Sequence, residues 1–416
     1  MMIFGLIVLH APLSVFFGSQ FPDFALIIKA WKEILMVLAL PIAMVLITRQ
    51  QAWRRLAKDN LLWLIAAYVL LHGVMLIYWT GLESALAGLA IDLRYMLFFT
   101  LVYVLVLLYP QYKERFLKVA AIGAIIVVAF AIVQQFLPND HLTSIGYSSE
   151  TISPYTTIDR NTDFVRHNST LRGPNPLGAY AASVGILLVA FVAVRLKKRA
   201  AVNWWMLAGS VLATLVTYLS YSRSAYLALA TGVTIITVTV FGRSIKRWQW
   251  AVLLATAMIA IGGLFALKDN SFISNVVLHE DPLESGQVNS NDEHLSSLQE
   301  GVSRMIEQPL GRGVGSTGSA SLLSDNGIII ENQYLFVAHE VGWLGLMLFV
   351  AIFVVILKRL WLLRANPWAL GLFASGIGLA LVGILLPVWV DDTVSIVWWG
   401  LVAVILGMSM KKVHES

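Results

Sequence analysis

Residues 309–318 read Pro-Leu-Gly-Arg-Gly-Val-Gly-Ser-Thr-Gly, and residues 331–335 read Glu-Asn-Gln-Tyr-Leu. They close a polar stretch, Lys268 to Val341, in a chain that otherwise consists mostly of hydrophobic runs. Because a loop of this length is seldom only a connector, we expect it to carry function. The sequence therefore predicts membrane helices that hold one large loop, residues 268–339, in place.

The composition is that of an integral membrane protein. Hydrophobic residues make up 58% of the 416 residues and charged residues 13%, which is more apolar surface than a soluble domain needs. We predict an all-α polytopic membrane protein, a single membrane domain over 1–416, with about twelve transmembrane helices. A large, partly helical loop separates spans 9 and 10, and a smaller one covers 137–174. The predicted spans are 2–17, 25–48, 61–80, 84–109, 119–136, 175–195, 203–220, 225–242, 248–267, 340–357, 367–388 and 394–410.

Lysine and arginine residues predict the orientation of these spans. The loops after the even-numbered spans and the C-terminal tail carry nineteen of the 29 basic residues. They are Arg49, Arg54, Arg55, Lys58, Lys113, Arg115, Lys118, Arg195, Lys197, Lys198, Arg199, Arg243, Lys246, Arg247, Lys358, Arg359, Arg364, Lys411 and Lys412. We therefore expect both termini in the cytoplasm and both long loops on the extracytoplasmic face. The first hydrophobic run lacks a basic start and a small-residue cleavage site, so we expect it to be retained.

Several functional classes are excluded or disfavoured by composition. The chain has no Cys, which excludes disulfides, a thiolate metal site and a cysteine nucleophile. The eight His residues show neither HxH nor HExxH spacing, so we expect no metal and no cofactor. The formal net charge of +5 arises mostly in short loops between spans, and we expect no nucleic acid as a partner.

Arg223 is the strongest candidate for binding an anion on the predicted outer face. It lies in the Tyr-Ser-Arg-Ser turn 221–224 between predicted spans 7 and 8. Its planar guanidinium is suited to bidentate binding of phosphate oxygens. A structural role is the alternative, in which Arg223 caps helix carbonyls or pairs with Asp391 or Asp392.

Three further arginines are candidates for the same chemistry. Arg166 and Arg172 flank residues 167–170, just before a proline-marked helix start whose free N–H groups favour an anion. A solvated loop is the alternative for both. Arg312 lies in the glycine-rich run, which follows no strand and lacks the Lys of a P-loop, so both roles are open.

The large loop is predicted to contain an amphipathic helix, Glu293 to Glu307, because its apolar residues recur at spacings of three and four. We expect this helix to lie on the membrane face and to pair Arg304 with Glu300 one turn earlier. It should end before residues 309–318, whose four glycines predict a flexible turn.

Candidates for proton transfer lie near the start of predicted span 10. Glu331 precedes Asn332, and His339 follows two helical turns later. A carboxylate in a partly apolar, arginine-rich mouth can act as a general base toward a sugar hydroxyl, or it can pair with an arginine. His294, at the start of the amphipathic helix, is the alternative base or a surface residue.

Charged residues also occur within or at the ends of predicted spans 2 and 4. Such residues are costly in a membrane unless they are paired or functional. We expect ion pairs between helices, and the alternative is the substrate or ion pathway of a transporter. The residues are Lys29, Lys32, Glu33, Asp92 and Arg94.

Four of these motifs, taken in order, resemble the O-antigen ligase/O-antigen polymerase superfamily of bacterial membrane glycosyltransferases. They are residues 172–178 (Arg-Gly-Pro-Asn-Pro-Leu-Gly), 222–224 (Ser-Arg-Ser), 309–315, and 331–335 followed by Glu340, Gly342 and Gly345. The resemblance implies a GT-C-type enzyme in the bacterial cytoplasmic (inner) membrane. It also implies an undecaprenyl-diphosphate-linked glycan donor, a glycan or lipid-linked acceptor, and no metal or nucleotide sugar. The lipid bilayer and other polysaccharide-assembly membrane proteins are further expected partners.

The resemblance, with the residue chemistry above, gives an expected mechanism. Arg223, with Arg166 or Arg172, holds the donor diphosphate and stabilises the charge of the leaving group. Glu331 or His294 deprotonates the acceptor hydroxyl. The acceptor oxygen then attacks in a direct, inverting displacement, because no separate pair of carboxylates suggests a covalent intermediate. The remaining expected substrate-binding residues are Arg312, Asn332, Tyr334 and His339.

Two positions distinguish the members of this superfamily. Its ligases carry His before the Asn of the last motif and Arg near the start of the loop helix, where this chain has Glu331 and His294. We therefore expect a polymerase, with a ligase as the alternative. A transporter or flippase for the lipid-linked glycan is the alternative from another class, although no internal repeat supports it.

Overall fold

The computed structural model describes residues 1–78, 81–158, 161–244, 246, 248, 290–324 and 327–414. Residues 249–289, which include almost all of the predicted ninth span and the first part of the large loop, lie outside this part. The main helices of the described chain are α1 Met2–Gln20, α2 Trp31–Arg49, α3 Asn60–Tyr78, α4 Leu82–Leu108, α5 Pro110–Phe136, α6 Pro174–Lys197, α7 Trp204–Leu219, α8 Arg223–Phe241, α9 Ser290–Glu307, α10 Gln333–Leu362, α11 Pro367–Leu385 and α12 Asp392–His414.

The all-α polytopic membrane fold is confirmed. Within the described residues, ten helices are long and apolar enough to cross a membrane, and α7 is a shorter apolar helix. Each predicted span on described residues coincides with one of these helices. The largest difference concerns predicted span 10, 340–357, which is only the middle of the 30-residue helix α10.

Polar caps explain where several helices begin. Asp59, Asn203 and Asn366 each accept a hydrogen bond from a backbone N–H in the following turn, at 2.9, 3.1 and 3.0 Å. A side-chain oxygen satisfies in this way an N–H group that the helix itself leaves unpaired. All three caps lie at the end of the bundle that carries the Lys- and Arg-rich loops.

Small residues allow the central helices to approach closely. A Cβ atom on Gly378 of α11 would lie 2.9 Å from the carbonyl oxygen of Ala228 in α8. A Cβ atom on Gly371, also in α11, would lie 3.0 Å from the Cα atom of Leu187 in α6. Because backbones can pack this closely only where side chains are small, α6, α8 and α11 form one tightly packed unit.

Ion pairs join helices α1, α2, α4 and α12. The Asp392 carboxylate contacts His10 Nε2 at 2.9 Å and Lys32 Nζ at 3.5 Å. Arg94 pairs with Asp392, and its Nη1 atom lies 3.8 Å from Glu33 Oε1. The predicted pairing of Lys32, Glu33 and Arg94 between helices is therefore confirmed. These charges are partnered within the bundle, as buried charges require.

The long loops meet at one end of the bundle, which we call the loop face. It is formed by residues 137–158, 161–173, 220–222, 309–324, 327–332 and 386–391. Within residues 137–173, strands β1 Thr156–Ile158 and β2 Asn161–Arg166 form an antiparallel hairpin. The sequence did not predict this hairpin, because a three-residue strand is too short to show an alternating pattern.

Candidate functional site at the loop face

The turn before Arg223 is tight and strained. Helix α7 ends at Leu219 and α8 begins at Arg223, and Tyr221 between them has φ +49°. A left-handed backbone is uncommon for a bulky residue and often marks a functional turn. A Cβ atom on Gly178 of α6 would lie 2.5 Å from Ser220 Oγ. The start of α6 therefore packs directly against this turn. The contact holds the backbone just before the half-buried Arg223 in place.

Arg166 extends from the hairpin to the same turn. Its Nε atom donates to the carbonyl oxygen of Ser220 at 3.0 Å, and its Nη2 atom donates to Asn175 Oδ1 at 2.7 Å. These bonds join β2, the start of α6 and the α7–α8 turn. Arg166 thus lies against the turn that carries Arg223, in agreement with the expected grouping of the two arginines.

Arg172 lies just before α6 and is exposed. Its charge acts on Asp391, which belongs to the loop between α11 and α12. Burial and the neighbouring Asp392 together raise the pKa of Asp391, while the N–H of Val394 and the charges of Arg172 and Arg94 oppose this. Arg172 is therefore an exposed cation at the edge of the loop face.

Asp391 and Asp392, the alternative partners for Arg223, make other contacts. Asp391 Oδ1 accepts hydrogen bonds from the backbone N–H groups of Thr393 and Val394 at 3.0 and 2.9 Å, and so caps α12. Asp392 belongs to the ion-pair network with Arg94. These contacts account for both carboxylates.

Glu331 lies one residue before a firmly anchored helix start. Asn332 Oδ1 accepts from the N–H groups of Tyr334 and Leu335 at 2.9 and 3.0 Å, and Asn332 Nδ2 donates to the carbonyl oxygen of Ile384 at 2.7 Å. The Tyr334 hydroxyl donates to the carbonyl oxygen of Ala380 at 2.9 Å. The polar groups of Asn332 and Tyr334 thus fix α10 to α11. Their expected contact with substrate stays a prediction. Glu331 is half-buried and directly precedes this anchor.

The two halves of the expected site are linked through α11. Its C-terminal end holds Asn332, as described above, and its middle packs against Ala228 of α8 at Gly378. Because α8 begins at Arg223, one helix connects the anchor of Glu331 with the helix of Arg223. The structure therefore places both residues at the loop face on neighbouring elements.

The glycine-rich run is closely packed, so the expectation of a flexible turn is wrong. Gly311, Gly313, Gly315 and Gly318 all have positive φ, between +65° and +103°. A Cβ atom on Gly313 would lie 2.6 Å from the carbonyl oxygen of Tyr78. Only glycine combines this backbone conformation with such close contacts.

This run completes a break in α10. Helical geometry is lost at Val341 and at Gly342, where φ is +70°. The backbone N–H of Arg312 donates to the carbonyl oxygen of His339 at 2.7 Å, and that of Gly313 donates to Glu340 O at 3.0 Å. Backbone groups released by the break are thus satisfied by the loop, as burial in a membrane protein requires. The Arg312 side chain is exposed at this turn.

His339 is buried, with 1% of its surface exposed. It was expected at the mouth of span 10, but it lies beneath the glycine-rich run, where the charges of Arg304 and Arg312 are close enough to act on it. Its expected role in binding substrate stays a prediction.

Sequence reasoning missed a buried polar group behind the same run. Glu340 Oε1 accepts from the backbone N–H of Thr317 at 3.2 Å. The charge of Asp92 in α4 also acts on the Glu340 carboxyl, and Asp92 Oδ2 lies 3.7 Å from His72 Nε2 in α3. Asp92 was expected to take part in ion pairs between helices, in a set with Lys29, Lys32, Glu33 and Arg94. The only sequence signal for this buried group was one ionisable residue in each of three spans, namely His72, Asp92 and Glu340.

The predicted amphipathic helix is present as α9, and it ends at Glu307 as predicted. Arg304 pairs with Glu300 at 2.5 Å, which confirms that expectation. A Cβ atom on Gly301 would lie 2.9 Å from Leu335 Cδ1, and the Trp343 indole donates to the carbonyl oxygen of Met305 at 2.8 Å. Helix α9 therefore crosses the start of α10. His294 belongs to α9. The contact of α9 with the membrane face and that of His294 with substrate stay predictions.

No group of three or more His, Asp or Glu side chains in the described part of the chain is arranged to hold a metal ion. The fold is that of a polytopic membrane protein. Its polar loops lie at the loop face together with Arg166, Arg223 and Glu331.

A family model described as O-antigen ligase matches residues 208–350. The matched segment includes Arg223, the glycine-rich run and Glu331, and it belongs to the O-antigen ligase/polymerase superfamily. The protein therefore has a function of the O-antigen ligase or polymerase type, in polysaccharide biosynthesis. A search of curated proteins gave no match.

Proposed function

We propose that the protein is a metal-independent, inverting glycosyltransferase that transfers a glycan from an undecaprenyl-diphosphate donor to an acceptor sugar hydroxyl. It acts as a polymerase on the extracytoplasmic face of the bacterial cytoplasmic membrane. The observation that carries this proposal is the contact of Arg166 with Ser220, at 3.0 Å, in the turn that begins α8 with Arg223. Two guanidinium-bearing residues at one turn suit a diphosphate, which needs several fixed donors.

The proposed reaction is a single displacement. The acceptor oxygen attacks the anomeric carbon, and the bond between that carbon and the diphosphate oxygen breaks. Arg223 and Arg166 stabilise the negative charge that develops on the leaving diphosphate. The proton of the acceptor hydroxyl passes to Glu331, which directly precedes the anchored start of α10.

A ligase is the second candidate, because the family model that matches the chain is described as O-antigen ligase. Ligases of the family carry His at the position of Glu331. This difference favours the polymerase. The transporter alternative is weakened, because Lys32 and Arg94, which it would use, pair with Glu33 and Asp392.

Glycan profiling of a deletion strain complemented with single variants tests the proposal. Arg223→Ala and Glu331→Gln should each abolish polymer, and lipid-linked single units should accumulate on the outer face. Arg364→Ala is the matched control, because this exposed arginine lies in the loop after α10, at the opposite end of the bundle, and donates to the carbonyl oxygen of Trp361. His294→Ala tests the alternative base, and loss of polymer there with retention in Glu331→Gln would transfer the role to His294.

Three results would contradict the proposal in different ways. Full-length polymer with both Arg223→Ala and Glu331→Gln would exclude the proposed site. Accumulation of lipid-linked units on the inner face would indicate a flippase. Polymer on its lipid carrier that is not attached to its final acceptor would indicate a ligase.

A further inference from the structure

A cluster of uncharged polar side chains lies at the loop face, where α5 ends and residues 137–158 begin. In the described part of the chain, seven side-chain atoms of this cluster are buried and make no hydrogen bond. They are Gln134 Nε2, His141 Nε2, Tyr147 Oη, Thr156 Oγ1, His167 Nδ1, Asn168 Oδ1 and Thr170 Oγ1. Buried polar groups nearly always have a partner, because an unpaired one has lost its hydrogen bonds to water. Seven such groups in one region point to a polar partner from outside the chain.

Hydrogen bonds bring the members of this cluster together. Ser169 donates its backbone N–H to Gln134 Oε1 and its hydroxyl to the carbonyl oxygen of Val127, both at 2.8 Å. Asn168 Nδ2 donates to the carbonyl oxygen of Ser153 at 3.0 Å. These bonds hold the segment after the hairpin between α5 and the residues that precede β1.

The other members adjoin this segment through His141. The charge of His141 acts on His167, so the two rings are close. The centroids of the His141 and Phe130 rings lie 6.1 Å apart, and Phe130 packs against the small core that contains Tyr147. Thr156 pairs with the last residue of β2, directly before His167. Since His141 and Phe130 are only half-buried, they mark the side of the cluster nearest to solvent.

The donors and acceptors of the cluster are those that sugar hydroxyl groups require. His141 Nδ1 lies 2.7 Å from the carbonyl oxygen of Pro138, which can only accept, so Nδ1 carries the proton and Nε2 of the neutral ring accepts. Asn168 Oδ1 also accepts, Gln134 Nε2 donates, and the hydroxyl groups of the cluster do both. An anion would need donors alone and a metal ion acceptors alone. A polyhydroxylated, uncharged ligand matches the mixture.

We propose that this cluster binds an uncharged sugar ring of the lipid-linked donor, next to the donor diphosphate. His167 directly follows Arg166, and Thr170 lies two residues before Arg172. The inference rests on the proposed function, which assigns these arginines to the diphosphate. The cluster selects the glycan that is transferred, because a sugar with another arrangement of hydroxyl groups leaves buried groups unpaired.

The sugar enters when residues 137–158 move outward, because the unpaired atoms are buried behind this segment. Opening breaks the hydrogen bond between Asn168 and Ser153. It also exposes the unpaired groups to water, which restores their hydrogen bonds and lowers the cost of the movement. Closing over a sugar pairs the same groups again.

Deleting single unpaired hydroxyl groups tests the proposal with little disturbance of the fold. Tyr147→Phe and Thr170→Val each remove a hydroxyl without a partner and keep the shape of the side chain. Thermal stability should be unchanged or slightly higher, because no hydrogen bond within the chain is lost. Thr100→Val in α4 is the matched control, since its hydroxyl donates to the carbonyl oxygen of Met96 at 2.9 Å, and it should keep full sugar binding.

Sugar binding is measured directly on the purified full-length protein. The probe is the free oligosaccharide repeat unit, released by mild acid from the lipid carrier of the same strain, and the method is saturation-transfer NMR. Its affinity should fall by about threefold to tenfold in each single variant and by about tenfold to a hundredfold in the double variant. Polymer formation in the complemented strain should fall with it.

The outcomes separate this inference from the proposed function. No binding of the oligosaccharide by the wild type, or unchanged affinity in the double variant, would overturn the inference. Lower thermal stability in both single variants with unchanged affinity would overturn it as well, and would assign the unpaired groups to internal water. Weaker binding in Tyr147→Phe supports the sugar site even if Arg223→Ala still forms full-length polymer, a result that would exclude only the proposed catalytic arginine.

Discussion

Replacing Gly315 with alanine should release the glycine-rich run. Gly315 has φ +81°, and a Cβ atom there would collide with the carbonyl group of Ser84 in α4. The left-handed conformation costs about 1–2 kcal/mol for a residue with a Cβ atom, and overpacking against the backbone adds about 1–3 kcal/mol. The sum is about 2–5 kcal/mol, so the ratio of packed to released run should fall by between about thirtyfold and several thousandfold.

Limited proteolysis of the purified protein measures this change directly. Arg312 is exposed within the run, so trypsin cleavage after it reports release. Gly315→Ala should be cleaved much faster than the wild type and should lose polymer formation. Gly73→Ala is the matched control, because a Cβ atom on Gly73 meets nothing within 4 Å. An unchanged cleavage rate in Gly315→Ala would refute the argument that Cβ atoms are excluded from this contact.

Further predictions concern stability and the Arg223 turn. Burial alone would raise the pKa of Asp59, but hydrogen bonds from Arg359 and Tyr103 hold this pKa below its ordinary value. The contribution of Asp59 to stability is therefore present above about pH 4 and is lost as pH falls through the depressed pKa. Asp59→Asn should therefore flatten the acid side of the profile of thermal stability against pH, and an unchanged profile would contradict this. Arg94→Ala removes one partner of Asp392 and Glu33, which keep their contacts with Lys32, and should destabilise the protein by about 1–3 kcal/mol in thermal unfolding, whereas a loss below about 0.5 kcal/mol would show that the Arg94 contacts add little. Gly178→Val should displace the Arg223 turn and lower activity more than it lowers thermal stability, and equal activity would show that the contact does not position Arg223.

The helices were predictable because each leaves a local signal in the sequence. Runs of apolar residues gave every described span, and Asn366-Pro367 marks a helix start by cap and proline chemistry. The extent of α10 was missed because Gln333 to His339 is a polar-edged segment before the apolar run, and the hydrogen bonds that anchor its start go to Ile384 and Ala380. That anchor comes from a helix later in the chain.

The candidate site was predictable in its residue types and not in its packing. Arg166 was expected near Arg223, and the structure brings it to Ser220. The glycine-rich run was expected to be flexible because its packing partners, Tyr78 and Ser84, lie more than two hundred residues earlier in the sequence. The interaction between Asp92 and Glu340 could not be predicted for the same reason.

The break in α10 has a consequence for how the protein is assembled in the membrane. Until the loop packs, the carbonyl groups of His339 and Glu340 have no partner from Arg312 and Gly313, which costs several kcal/mol per group in hydrocarbon. The surface that receives the loop, at Tyr78 and Gly88, is synthesised before both the loop and α10. We therefore expect α10 to enter the bilayer as two half-helices and to become one span only when α3 and α4 are already in place. Gly88→Leu, which blocks that surface, should leave a fully inserted chain that trypsin cleaves at Arg312.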